Sequence, residues 1–164
     1  MAWRELYGYW HGLQREGRPP SRADLDPPLQ IPRLLPNLML IDAVDGHFRM
    51  RLVGSEVVRR AGRDPTGLRL DPLVITERGI PAFVGFLEKT VETRRPVIYS
   101  VERGDQTAFG AIGLLLPLSG PNHEIPMILG GLFYETSRIR QLNADWTPGT
   151  LTELSLTDML AAQS

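Results

Sequence analysis

The sequence predicts an α+β fold in which a five-stranded antiparallel sheet carries helices on one face and an amphipathic helix at its N-terminus. Two apolar runs, 38–44 and 48–53, flank Asp45-Gly46 and His47. An Asp-Gly pair between strands indicates a hairpin, because a type I′ turn needs positive φ at both central residues. Apolar residues then recur at helical spacing over 77–94, and three strand-like runs with short connections follow. Short connections favour antiparallel neighbours.

Composition favours one globular domain and excludes several kinds of function. The chain has 164 residues, a net charge of −1 and no cysteine. A charge near zero gives no basic surface for nucleic acid or an anionic membrane. The lack of cysteine excludes disulfides, thiolate metal sites and cysteine nucleophiles. No signal peptide and no apolar run of about 18 residues is present, so we expect a cytoplasmic protein.

An amphipathic helix is predicted over residues 2–16 and ends at Gly17 and the Arg18-Pro19-Pro20 sequence. Its apolar residues lie on one stripe: Trp3, Leu6, Tyr7, Trp10 and Leu13. The stripe has two interpretations, which are compatible: it packs on its own domain, or it forms the interface of a homodimer, for which aromatic residues are suitable anchors. We expect a homodimer and take these five residues as its candidate interface.

The chain divides into four predicted segments. These are the N-terminal helix 1–18, a proline-rich linker 19–36, a core domain 37–135 and a C-terminal tail 136–164. Trp146, Pro148 and Gly149 predict a loop within the tail. Ser155 and Asp158 together form a weak capping signal for a short helix after it.

The hairpin itself has one inner and one edge strand. The run 38–44 is apolar on both sides and should be covered on both faces. The run 48–53 alternates between apolar and polar residues, with Phe48, Met50 and Leu52 apolar. This pattern predicts one buried and one solvent-exposed face. After it, a short helix is expected over 56–61, with Ser55 as its N-cap and Gly62 at the left-handed C′ position.

The second half of the domain is a helix followed by three strands. The helix over 77–94 has Pro81 in its first turn, so it is expected to begin close to Gly79. The strands are predicted at 97–103, 107–118 and 127–135. The last two are apolar at odd and at even positions, so both of their faces need to be covered by other elements. We infer that the helix at 77–94 covers one face and the N-terminal helix, with or without a partner subunit, the other.

Several short motifs are distributed over residues 7–135: Tyr9-Trp10 with Leu13, Gly17-Arg18-Pro19 before Arg22-Ala23-Asp24, the run from Ile31 to Pro36, the run from Phe48 to Ser55, and Gly62-Arg63-Asp64 with Thr66-Gly67. Together they resemble the PAS domain, and within it the bacterial group often called the fifth PAS family. The resemblance implies a sheet of order 2-1-5-4-3. It also implies a stand-alone sensory or signalling module, usually dimeric, that acts on a protein partner by contact. The tail lies outside the resemblance.

PAS ligand sites lie between the sheet and the longer helix, here 77–94. The resemblance therefore makes six residues candidates for lining a small-ligand pocket: Phe83, Phe86, Leu87, Tyr99, Phe109 and Ala111. Gly110, Gly113, Gly130 and Gly131 lie inside strands, where glycine marks close approach of a ligand or another backbone, or a bulge in an ordinary core. The ligand stays unknown. The absence of cysteine and of histidine in 77–94 disfavours a flavin adduct, a thioester-linked chromophore and haem.

Two other functional classes stay open. The first is a small non-metal enzyme of hot-dog or cone-like fold, with Glu102 or Asp105 aimed into its pocket. The second is a structural dimerisation module without a ligand. His11, His47 and His123 are scattered, with no metal-ligand spacing. We therefore predict no catalytic residues, no metal site and no enzymatic activity.

Overall fold

A computed structural model describes residues 1–73, 79–103, 106–134 and 148–162, with backbone only at residues 103, 106–109 and 148–150. Five α-helices lie in this part of the chain: α1 (Ala2–Gly12), α2 (Pro27–Gln30), α3 (Ser55–Ala61), α4 (Ile80–Thr93) and α5 (Leu156–Ala161). Six strands accompany them: β1 (Leu38–Val44), β2 (His47–Val53), β3 (Val97–Arg103), β4 (Gln106–Leu118), β5 (Met127–Tyr134) and β6 (Pro148–Leu154). Short 3-10 helices span Arg22–Asp24 and Pro32–Asn37.

All strands form one antiparallel sheet in the order β2-β1-β5-β4-β3-β6. The first five have the predicted number and order. The sixth strand is not predicted. The sequence predicts a loop around Pro148 and Gly149, and the structure has strand β6 there instead. In the structure β6 pairs with β3, with Val101 opposite Leu151 and Ile98 opposite Leu154. An uncovered β3 edge would expose a row of unpaired backbone groups, and β6 satisfies them.

The predicted hairpin is confirmed, with one correction in its second strand. Asp45 and Gly46 have φ of 52° and 74°, as a type I′ turn requires. The register between β1 and β2 shifts after Leu40, which pairs with Leu52, because Arg51 is an extra residue in the strand. A bulge of this kind reverses the faces of the residues beyond it. Leu52, predicted to be buried, is therefore 49% exposed.

Two helix boundaries differ from the prediction. Helix α1 ends at Gly12 rather than near residue 16, because Glu16 and Gly17 have positive φ and close a turn in which Arg15 bridges Arg18. Helix α3 is capped by Gly54, and Ser55 is its first helical residue. Only glycine fits at position 54, since a Cβ there would overlap the Leu35 and Pro36 carbonyl groups.

Helix α4 and the end of α3 follow the prediction. Gly62 ends α3 with φ of 75°. Gly79, with φ of 93°, precedes α4, and Pro81 lies in its first turn. The first part of the predicted 77–94 helix, residues 77 and 78, lies outside the described residues. None of the helices in the described part of the chain combines the length and apolar character needed to cross a membrane.

The sheet separates two apolar clusters. Helix α4 packs on β3, β4 and β6, where its Val84 and Leu87 join Ile41, Leu115 and other side chains of one sheet face. Helix α1 packs on β4 and β5 and closes the other face. The inferred cover of both faces is confirmed. The predicted linker also belongs to this second cluster, through the buried side chains of Leu25, Ile31 and Leu34.

The C-terminal helix α5 is hydrogen-bonded to the N-terminal helix α1. The Arg4 guanidinium of α1 donates hydrogen bonds to the carbonyl oxygens of Leu160 (3.2 Å), Met159 and Ala162. These carbonyls belong to the last turn of α5, which has no intrahelical donors for them. Ser155 caps the other end, as predicted, by accepting from the Asp158 N–H (3.3 Å).

Candidate functional site

The space between the sheet and α4 contains a cluster of aromatic rings. Tyr99 of β3 is 2% exposed and lies at its centre. The Phe86 ring stacks on it, with centroids 5.3 Å apart, and the Phe83 ring meets it edge-on at 6.1 Å. Both phenylalanines come from α4, three residues apart, so they share the face of the helix that meets the sheet.

Gly113 provides the room for Tyr99. The two residues are directly opposite each other in the β3–β4 ladder. A Cβ on residue 113 would overlap the Tyr99 ring. Gly131 has the same relation to Leu6 of α1, on the other side of the sheet. At both positions, then, the space above the strand glycine is filled by one of the chain's own side chains.

The candidate lining residues come together as expected, and they form packed core. Leu87 and Ala111 are fully buried beside Tyr99, while Phe83 and Phe86 are partly buried against the same cluster. The sixth candidate, Phe109, has a side chain outside the described residues. The resemblance to the PAS domain groups these residues, and in the structure the Tyr99 ring occupies the space between them.

Burial controls the ionisation of the tyrosines in this region. It raises the pKa of the Tyr99 hydroxyl, with nearby Tyr134 adding to the effect. Burial likewise raises the pKa of Tyr134 at the end of β5. The Arg60 guanidinium lies 4.7 Å from the centre of the Tyr134 ring and opposes that rise. At neutral pH both phenols are therefore uncharged.

The apolar stripe of α1 is mostly buried within its own chain. Trp3, Leu6 and Trp10 are at most 3% exposed. The Trp10 indole N–H donates to the Pro117 carbonyl (2.8 Å). Tyr7 and Leu13 are half-buried and remain the accessible part of the stripe. The first interpretation, that the stripe packs on its own domain, accounts for the three most buried residues.

No cluster of metal ligands is present in the part of the chain that the structure describes. His11 lies on α1, His47 begins β2 and His123 lies in the turn before β5. His47 contacts the Arg69 guanidinium (2.8 Å).

The order of the first five strands is the order that the resemblance to the PAS domain implies. A family model of the PAS domain, of the fifth subfamily, matches residues 1–133. The chain belongs to the PAS family. No curated protein and no solved structure matches it significantly. The matched region of this PAS domain includes α1 and ends in β5, so β6 and α5 lie outside it.

Two features of this PAS domain are not predicted from its sequence. Strand β6 covers the edge of the sheet, and its Leu151 packs against the aromatic interior. The short alternation Thr150-Leu151-Thr152 is a weak strand signal, and the preceding Pro148-Gly149 pair favours a loop instead. The second feature is a surface cavity between the ends of α1 and α4, which joins residues about 80 positions apart.

Proposed function

We propose that this PAS domain is a sensory or signalling module that acts on a protein partner by direct contact. Membership of the PAS family supports the general role. Action by contact is supported by a difference between two surfaces of the sheet. The space under α4 is filled by the chain's own side chains, while a corner of the opposite face is exposed.

The interior chemistry favours a binding module over an enzyme. Its buried polar side chains, among the residues described, are those of Thr90 and Ser100, together with the Tyr99 hydroxyl, which burial keeps neutral by raising its pKa. Thr90 donates to the Phe86 carbonyl (2.8 Å) and Ser100 to the Thr152 carbonyl (3.5 Å). Both hydroxyls thus serve the fold. A hot-dog or cone-like enzyme needs an acid or base with a tuned pKa in its pocket. Glu102 is half-buried on β3, and Asp105 lies outside the described residues.

A small ligand between the sheet and α4 would need to displace the Tyr99 ring. That ring fills the place above Gly113 and is held by Phe83 and Phe86. Moving it exposes apolar surface on several elements at once, among them α4. A ligand that replaces the ring would in this way affect the surface of the domain, because α4 would respond to the change.

The open corner lies on the α1 side of the hairpin. Helix α1 packs on β4 and β5, and among the described residues no helix makes extensive contact with the adjoining strands β1 and β2. Cross-strand pairs place five side chains there: Asp42, Val44, His47, Arg49 and Leu52. Val44 and Leu52 are 56% and 49% exposed. The two apolar residues lie at the two ends of this surface, with Asp42 and Arg49 between them. A surface that mixes exposed apolar and charged side chains is suited to contact with a protein.

Site-specific photo-crosslinking in the source cells tests this surface. A photoreactive amino acid replaces Leu52 in the open corner. The same replacement at Leu29, which is 78% exposed on α2, is the matched control. We expect a discrete adduct with a second protein from position 52 and none from position 29. Mass spectrometry of the adduct identifies the partner and shows whether it carries a signalling output domain.

Two outcomes would replace the proposal. An adduct of twice the chain mass from position 52, with no other protein, would make the corner a homodimer interface and favour the structural dimerisation module. The absence of any adduct from position 52, with the protein folded, would overturn the contact surface.

A further inference from the structure

A concave site lies where α1 and α4 both end. The cavity has a volume of about 420 Å³. It is bounded by the last turns of the two helices, by the turn at 15–18 and by residues 94–96, which lead into β3. Its size falls within the range of small-molecule sites, roughly 300–1,000 Å³.

The charged residues that line this cavity are all positive. Arg18, Arg94 and Arg95 line the cavity, and no aspartate or glutamate does. Within the described residues, none of the three forms an ion pair. Other arginines differ: Arg15 reaches Asp24 (3.9 Å), and Arg60 reaches Glu56 (2.9 Å).

The helix ends do not neutralise this charge. Each helix C-terminus is equivalent to roughly half a negative charge, so α1 and α4 together contribute about −1. The three guanidinium groups contribute +3. An excess of about two positive charges therefore remains in the cavity.

The backbone at the three arginines is held in place. Arg94 has φ of 56° and ends α4, with its N–H donating to the Thr90 carbonyl (3.0 Å). The N–H of Arg95 donates to the Thr93 hydroxyl (3.3 Å). Arg18 is fixed by the reciprocal pair with Arg15, at 2.9 and 3.3 Å. Only the side chains need to order when an anion binds, which limits the entropic cost.

The remaining walls are aromatic and polar. Tyr7 and Trp10 line the cavity, and Tyr7 lies 5.5 Å from the His11 ring, measured between centroids. Gln14 adds an amide that both donates and accepts hydrogen bonds. A flat ligand group can lie against the aromatic wall while an anionic group faces the arginines.

A neighbouring cavity shows that this charge pattern is specific. It has a volume of about 380 Å³ and shares Arg18 with the first. Its lining also holds Arg15, Glu16 and Asp24, so its charges are balanced.

We propose that the cavity between α1 and α4 binds a small molecule with at least two negative charges, a phosphate ester or a polycarboxylate, beside a flat or compact body. This site goes beyond the proposed function and shares no residue with the Tyr99 cluster. A ligand here would bridge the helices that cover opposite faces of the sheet.

An NMR titration of the full chain tests the site. Adenosine 5′-monophosphate represents phosphate esters and citrate represents polycarboxylates. At least one should bind saturably, with the largest amide shifts at Tyr7, Gln14 and Arg95. The triple variant Arg18→Gln, Arg94→Gln, Arg95→Gln should weaken binding by at least about tenfold, since a hydrogen bond to a charged group contributes that much or more.

Arg51→Gln is the matched control, because Arg51 is an exposed arginine on β2, outside the cavity lining. It should leave the affinity unchanged. The single variants Arg18→Gln and Arg95→Gln keep the test valid if the triple variant folds poorly. Failure of both probes to bind, equal affinity of wild type and the cavity variants, or an equal loss with Arg51→Gln would overturn the proposal. None of these results bears on the crosslinking at Leu52.

Discussion

The sheet face under α4 holds a cluster of three aromatic rings among aliphatic side chains, whereas the face under α1 is closed by leucines and two indoles. On the α4 side, Tyr99 and its two phenylalanine neighbours fill one place in the interior. On the α1 side, many smaller aliphatic groups interdigitate around Trp3 and Trp10. The position of the Tyr99 ring depends on one glycine, Gly113, although that face also buries many aliphatic side chains. The packing around the two indoles draws on α1, the 19–36 segment and strands β1, β3, β4 and β5.

Loss of Trp10 should have the largest effect. Trp10→Ala removes a ring that is 2% exposed and the hydrogen bond to the Pro117 carbonyl. The free energy of unfolding should fall by about 3–5 kcal/mol, as for other buried tryptophans. Urea denaturation measures this change.

The two indoles allow a matched comparison. Trp10→Phe leaves the Pro117 carbonyl without its donor, and should cost about 1–3 kcal/mol beyond the change in packing. Trp3→Phe removes an indole N–H that has no acceptor among the described residues, so it lacks this penalty. Equal costs for the two variants would contradict the role of the hydrogen bond to Pro117.

Next in size is the effect of filling the space above Gly113. Gly113→Ala forces the Tyr99 ring to move and should cost about 1–3 kcal/mol. In a Tyr99→Leu background the same substitution should cost less, because the overlapping ring is absent. A double-mutant cycle by chemical denaturation measures the coupling, expected at about 1 kcal/mol or more. An additive cycle would show that Tyr99 and Gly113 do not depend on each other.

The α4 side should also be the more sensitive to alkali. Burial raises the pKa of Tyr99 and Tyr134 above that of tyrosine in the unfolded chain. Above about pH 10 the unfolded state loses these protons while the folded state keeps them, so stability falls as pH rises. Each tyrosine contributes a slope of about 1.4 kcal/mol per pH unit there.

The change is measured by urea unfolding between pH 9 and pH 11, taken as roughly the range that spans the tyrosine pKa. Tyr99→Phe should remove its own share of the slope and leave that of Tyr134. The contribution is fully present below the unfolded pKa, so wild type and variant should have parallel stability curves at neutral pH. A variant slope equal to that of wild type would contradict the burial of the Tyr99 hydroxyl.

The smallest effect is expected at the open corner. Leu52→Ser replaces a half-exposed side chain and should change the free energy of unfolding by less than about 0.5 kcal/mol. Met50→Ser, two residues away and 4% exposed, should cost roughly 2–3 kcal/mol. If the two variants lost equal stability, the bulge at Arg51 would be in doubt.

Local chemistry explains which parts of the fold were predictable. The Asp45-Gly46 turn, the end of α3 at Gly62 and the cap at Ser155 each depend on a few neighbouring residues. The sheet order came from the resemblance to the PAS family and is confirmed for five strands. Five of the six candidate lining residues pack in one cluster between α4 and the sheet, and their role in binding a ligand stays a prediction.

Long-range contacts decided the rest. The bulge at Arg51 turns the Leu52 side chain to the opposite face. The carbonyl groups of residues 35 and 36 leave room only for glycine at the cap of α3. Strand β6 pairs with the edge of β3. The sequence by itself determined the two apolar faces and their helices, because periodicity and turn residues act over a few positions. Only the tertiary structure decided that the Tyr99 ring fills the space above Gly113 and that Arg18, Arg94 and Arg95 line one cavity, because both depend on segments brought together by folding.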